Sequence, residues 1–170
     1  MLENKTLFMA KGAVITAASV ILIYLSTIIP GNKLFLLSIA SCLIPVAVVT
    51  TSLKNSFIIY LSTLILAFLM SGLTTAVIAY ALFFGVYGII KYYIEKIRKL
   101  PIEILLKLLY FNICLFVFYN ILKLFTSTSL NFKLSIYIFI IGAELIFVFY
   151  DYFLTVMILF ISKRLVKNTK

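Results

Sequence analysis

From Leu34 to Ile90 the chain carries a single charged residue, Lys54. A helix needs about 20 apolar residues to cross a bilayer, so this stretch is far too long for one crossing and has to turn inside or at the edge of a membrane. Lys54-Asn55 and Ser71-Gly72 are its natural break points. Extended over the whole chain, the same reading gives six spans: Leu7 to Ile29, Leu34 to Thr51, Ser56 to Ser71, Leu73 to Ile90, Ile102 to Leu122 and Leu134 to Ile161. The expected fold is an all-α integral membrane protein, a bundle of six transmembrane helices forming one domain over residues 1–170.

Composition supports this choice of solvent. Sixty-five percent of the 170 residues are hydrophobic and 12% are charged, whereas a soluble domain is about a quarter charged. The mean hydropathy is +1.23. The first apolar run is too long for a cleavable signal peptide and lacks a small-x-small cleavage site before polar sequence. Pro45 lies inside the second span, where it removes a helical hydrogen bond and favours a kink. Pro101, followed by Glu103, fits the first turn of the fifth span.

Charge sets the orientation. Of the 15 Lys and Arg, all but Lys33, Lys123 and Lys133 fall on the side that carries both termini, the loop near Lys54 and the loop after the fourth span. Such a bias places that side, and both ends, in the cytoplasm. The net charge of +10 then faces anionic lipid rather than nucleic acid. In "FFGVYGIIKYYIEKIRKLPIE", Phe83 to Glu103, Lys91, Lys96, Arg98 and Lys99 read as a basic collar anchored on lipid headgroups, with Gly85 and Gly88 permitting close backbone approach.

Several function classes have little to work with. There is no histidine and no Cys-x-x-Cys pair, so zinc, haem and iron–sulfur sites lack ligands and no metal or cofactor is expected. Cys42 and Cys114 read as small buried hydrophobes. No G-x-x-x-x-G-K-[ST] loop occurs, so any ATP-driven work needs another chain. With few nucleophile–base pairs to draw on, the chain is not expected to be an enzyme.

Polar residues inside the spans are the remaining candidates. Glu144 and Asp151 stand seven positions apart on one stripe of the sixth span, which Tyr137 continues outward. A buried unpaired carboxylate is costly, so each needs a partner. Counting ~1.5 Å per residue from Lys163, Asp151 lies ~18 Å and Glu144 ~28 Å from the cytoplasmic edge. Lys107 or Lys11 could pair with Asp151. For Glu144 three readings stand: contact with a ligand, an ion pair with Lys123, or a protonated carboxyl. On the fifth span Asn112, Tyr119 and Lys123 share a face with Asn120 beside them. Asn112 reads equally as an interhelical hydrogen bond. Tyr80, Thr74 and Thr75 on the fourth span could complete an outward-facing pocket with Tyr119, Asn120, Lys123, Tyr137 and Glu144. Such a set suits a small polar or partly cationic molecule with an aromatic or apolar portion.

The first span adds a stripe of small residues, Ala10, Ala13 and Ala17, in "AKGAVITAAS". Small residues let another helix come close, either within the bundle or from another subunit. With six spans, cytoplasmic ends and the A-x-x-x-A motif Ala13-Val-Ile-Thr-Ala17, the chain resembles the substrate-binding S component of energy-coupling factor transporters. The resemblance covers the whole chain in architecture and is specific in sequence at the alanine motif. It implies capture of a vitamin or similar micronutrient from outside a bacterial plasma membrane. It further implies a transmembrane coupling subunit docked on Ala13 and Ala17, with Ala10 on the same small-residue stripe, and two cytoplasmic ATPase subunits. The first outer loop, "PGNK" from Pro30 to Lys33, is short for the gate of that family. A membrane scaffold without a transport substrate and a small proton-coupled carrier using Glu144 or Asp151 are the alternative expectations.

Overall fold

The computed structural model describes residues 2–125 and 136–168, with side chains at 6–29, 31–124 and 140–163. Among the described residues the chain is an all-α bundle of six helices, each long and apolar enough to cross a membrane. They are α1 (Leu2–Ile28), α2 (Lys33–Thr50), α3 (Leu53–Ser71), α4 (Thr75–Glu95), α5 (Leu100–Phe125) and α6 (Ile136–Asn168). A 3-10 turn, Pro30–Asn32, joins α1 to α2. The end of the bundle that carries this turn and Gly72 is called the outer end below, and the opposite end, with most of the basic residues, the inner end. Bulky apolar side chains cover the perimeter, among them Phe116, Phe149 and Tyr152. In water that surface would be untenable over such an area; in hydrocarbon it is the expected exterior. The molecule is a multi-pass membrane protein.

Helix ends follow local chemistry and shift some expected boundaries. Ser52 caps α3 by accepting from the Asn55 amide at 3.3 Å. The break therefore falls at Thr51-Ser52, and Lys54 and Asn55 lie in the first turn of α3. At the other end of α3, Gly72 takes φ +66°, a conformation that favours glycine, and its N–H reaches the Phe68 carbonyl at 2.8 Å. Thr74 caps α4, accepting from the Val77 amide at 3.5 Å. The largest correction concerns the inner end of α4. The helix runs on past Ile90 to Glu95, so Lys91 is part of the span and not of a basic collar.

Small residues decide how closely the helices approach. Gly12, Thr16, Ser19 and Ser26 of α1 are buried together with Ile23, on the stripe that packs against α2 and α3. Ser19 and Ser26 satisfy their own hydroxyls on the Ile15 and Ile23 carbonyls at 2.9 and 2.6 Å. At Gly88 a Cβ would come within 2.6 Å of the Pro45 ring, so this glycine is what lets α4 lie against the proline of α2.

One turn of α4, Tyr80–Phe84, is a π-helix. A π turn misaligns the hydrogen-bond ladder, and carbonyls in hydrocarbon need other donors. Tyr60 of α3 donates to the Ala81 carbonyl at 2.9 Å. Tyr110 and Cys114 of α5 both reach the Leu82 carbonyl, at 2.9 and 3.3 Å. Cys114 is thus buried, as the sequence suggests, but its thiol also serves as a donor.

Candidate functional site

Two features sit one above the other between the helices, an ionic cluster in the inner half and an apolar cavity in the outer half. The cluster begins with Tyr87, Lys91 and Glu95, spaced by four on one stripe of α4. It is completed by Lys107 of α5 and by Asp151 and Thr155 of α6. Lys91 is 0% exposed. Its ammonium pairs with the Asp151 carboxylate and lies 2.8 Å from the Glu95 carboxylate and 2.8 Å from the Thr155 hydroxyl. Lys107 bridges the same two acids, at 2.8 Å to Asp151 and 2.9 Å to Glu95. The Tyr87 hydroxyl donates to Asp151 at 2.6 Å.

Two ammonium groups facing two carboxylates leave the cluster with no net charge. Each ion is held by more than one partner, which is the condition under which buried charge is tolerated. Of the two partners expected for Asp151, Lys107 is the one found, and Lys11 is exposed on α1. Lys91, Glu95, Tyr87 and Thr155 are members that sequence reasoning misses. The i, i+4, i+8 spacing of Tyr87, Lys91 and Glu95 is the available signal, but a lysine close to basic sequence reads as an interfacial anchor.

Above the cluster lies a cavity of about 550 Å³, in the size range of small-molecule sites. α2 contributes Leu34 and Ser38 at its outer start, and α4 contributes Leu82, Phe83 and Phe84 from the π turn. α5 adds Phe111, Cys114, Leu115 and Phe118, and α6 adds Gly142, Ala143, Ile146, Phe147 and Tyr150. Phe83 is the hub of the aromatic wall, with ring centroids 5.0 to 5.9 Å from those of Phe84, Phe111, Phe147 and Tyr150. Phe111 and Phe147 stack face to face at 4.5 Å. Tyr150, at the floor, is hydrogen-bonded to Ser41 of α2.

The residues expected to form an outer pocket are placed elsewhere; none of those with described side chains lines this cavity. Glu144 is half-buried and accepts from the Asn112 amide at 3.1 Å, not from Lys123, which is exposed near the outer end of α5. Asn120 donates to its own helix at Phe116, 2.7 Å away, and Tyr119 is 44% exposed. Thr74 is a helix cap. Tyr80 is wholly buried against Tyr60, with ring centroids 6.1 Å apart, and its hydroxyl, like that of Thr63, has no hydrogen-bond partner among the described residues. The Tyr137 side chain lies outside the described residues, as does Lys133. Ala10, Ala13 and Ala17 are all exposed, on the face of α1 turned away from α2 and α3. Close packing of α1 within the bundle therefore uses the Gly12–Thr16–Ser19 stripe instead.

Compared with protein-family models, with curated proteins and with solved structures, the chain matches none of them.

Proposed function

We propose that the chain is a membrane-embedded capture subunit that takes up a small micronutrient, with the energy supplied by separate coupling and ATPase subunits. The observation that carries this reading is the cavity of about 550 Å³ in the outer half, walled by four different helices. A bundle whose only task was scaffolding would gain by filling that space, since empty volume forfeits packing contacts. The sequence contains no nucleotide-binding loop of the G-x-x-x-x-G-K-[ST] type, which is in keeping with an energy source on other chains. The alanine face of α1, uncovered among the described residues, is the place for a coupling subunit, as the resemblance to energy-coupling factor S components implies. The bacterial plasma membrane is the corresponding location.

A proton-coupled carrier is the weaker reading. Asp151 is engaged by Lys91, Lys107 and Tyr87 at once, so it is committed to holding α4, α5 and α6 together. The test is uptake in cells that co-express coupling and ATPase subunits, read with a panel of labelled vitamins and related micronutrients. Accumulation that needs both this chain and an intact ATPase supports the reading. Accumulation abolished by an uncoupler but indifferent to the ATPase would replace it with the carrier.

A further inference from the structure

Resting on the capture reading, the ligand class can be narrowed. We infer that the outer cavity takes an uncharged, flat aromatic molecule that enters from the hydrocarbon layer. Among the described residues the lining carries no carboxylate, lysine or arginine. The buried charges of the cluster below pair with one another, and Glu144 is not among the described lining residues and accepts from Asn112. A charged ligand would be stripped of water with nothing to replace it.

Hydrogen bonding points the same way. The polar side chains among the described lining residues are Ser38, Cys114 and Tyr150, and each is engaged within the protein. Ser38 donates to the Leu34 carbonyl at 2.7 Å, Cys114 to the Leu82 carbonyl at 3.3 Å, and Tyr150 pairs with Ser41. The cavity therefore reads shape and apolar surface. Its aromatic wall, centred on Phe83, offers both ring faces and ring edges to a planar guest. The exposed part of the lining points to an opening toward the hydrocarbon layer. Leu34 and Ile146 both line the cavity and are 69% and 68% exposed, and Ile146 lies well inside the apolar length of α6.

The chain has no tryptophan, so Phe118→Trp provides a single reporter in the lining. In nanodiscs its fluorescence is titrated with 1-bromonaphthalene, whose bromine quenches at contact. The same titration is run with the anion 4-bromo-1-naphthoate and the cation (4-bromonaphthalen-1-yl)methylammonium. Saturable quenching by the neutral probe is expected, at least about 100-fold tighter than by either ion. Adding Gly142→Phe should abolish the saturable part. Gly142 lines the cavity and a Cβ there meets nothing within 4 Å, so the substitution fills space without a clash. Elution like that of the parent and an unchanged Tm confirm that this variant is folded. Saturable binding of an ion, absence of saturable binding by 1-bromonaphthalene, or quenching indifferent to Gly142→Phe overturns the assignment. Stoichiometric phospholipid that copurifies and is lost in Gly142→Phe also overturns it, giving the cavity to an acyl chain. The two proposals fail separately. Binding that passes every test in a chain that supports no uptake removes the capture role alone. Uptake of a charged substrate that survives Gly142→Phe removes the ligand class alone.

Discussion

Near the inner ends of α4, α5 and α6, charge closes the gaps between helices; toward the outer ends the same three helices, joined by α2, stand around apolar space. In the inner half each side chain is specified by its partners. Lys91 cannot move without leaving Asp151, Glu95 and Thr155. In the outer half the walls are mostly Phe, Leu, Ile and Ala, which tolerate rearrangement because their contacts are non-directional. The contrast teaches a division of labour: a clasp fixes one end of three helices so that the other end can accommodate a guest.

The comparison breaks most severely at Asp151. Asp151→Ala leaves Lys91 and Lys107 with only Glu95 between them, and removing one partner of a buried ion pair costs about 3–5 kcal/mol. Thermal unfolding in detergent should show the loss. A Lys91→Met, Asp151→Leu double variant should recover part of it, because an apolar pair strands less buried charge. If Asp151→Ala melts like the parent, the clasp does not hold the inner half together.

Gly88→Leu comes next. Its Cβ would meet the Pro45 ring at 2.6 Å and the Ile44 side chain at 3.2 Å, and overpacking of this kind costs about 1–3 kcal/mol. Because α2 and α4 meet here below the cavity, unfolding should shift while Gly142→Phe remains silent. Equal effects of the two substitutions would mean that the outer half is as tightly packed as the inner.

Tyr110→Phe sharpens the boundary between the halves. It removes one of the two donors to the Leu82 carbonyl in the π turn while Cys114 keeps the other. Interhelical hydrogen bonds in membranes average about 0.6 kcal/mol, so a small fall in Tm is expected. A loss above about 2 kcal/mol would show that the π turn depends on Tyr110 alone.

Much of this architecture is legible in the order of the residues. Six spans follow from long apolar runs because a helix in hydrocarbon has a minimum length, and Gly72 announces its turn because few other residues take positive φ. Asp151 announces its need for a cation, and Lys107 is within reach of it. Lys91 misleads because a lysine beside basic sequence usually snorkels, and only the continuation of α4 to Glu95 turns it inward. The break at Ser52 is hard to place because Lys54-Asn55 looks more polar than the serine that actually caps the helix. The cavity is illegible for a different reason. It is bounded by ordinary hydrophobes from α2, α4, α5 and α6, and nothing along the sequence marks which faces fail to meet. The polar residues that do stand out, Glu144, Asn120 and Thr74, each make a local hydrogen bond and are not among the described lining residues.

The smallest expected effect on the fold carries the most information about α1. Ala13 is exposed, and the buried stripe of α1 runs through Gly12, Thr16 and Ser19. Ala13→Leu adds an apolar side chain where lipid or another subunit lies, so its effect on stability should stay within about 0.5 kcal/mol. Gly12→Leu is the contrasting variant. Its Cβ already stands 3.4 Å from Asn55 and Ile59 of α3, so added bulk presses on packed neighbours and unfolding should register it. If Ala13→Leu leaves Tm and 1-bromonaphthalene binding untouched yet abolishes ATPase-dependent uptake, the alanine face meets a coupling subunit through close backbone approach. If uptake also survives, that face looks onto lipid, and the coupling contact must be sought at the inner ends, where the clasp positions α4, α5 and α6.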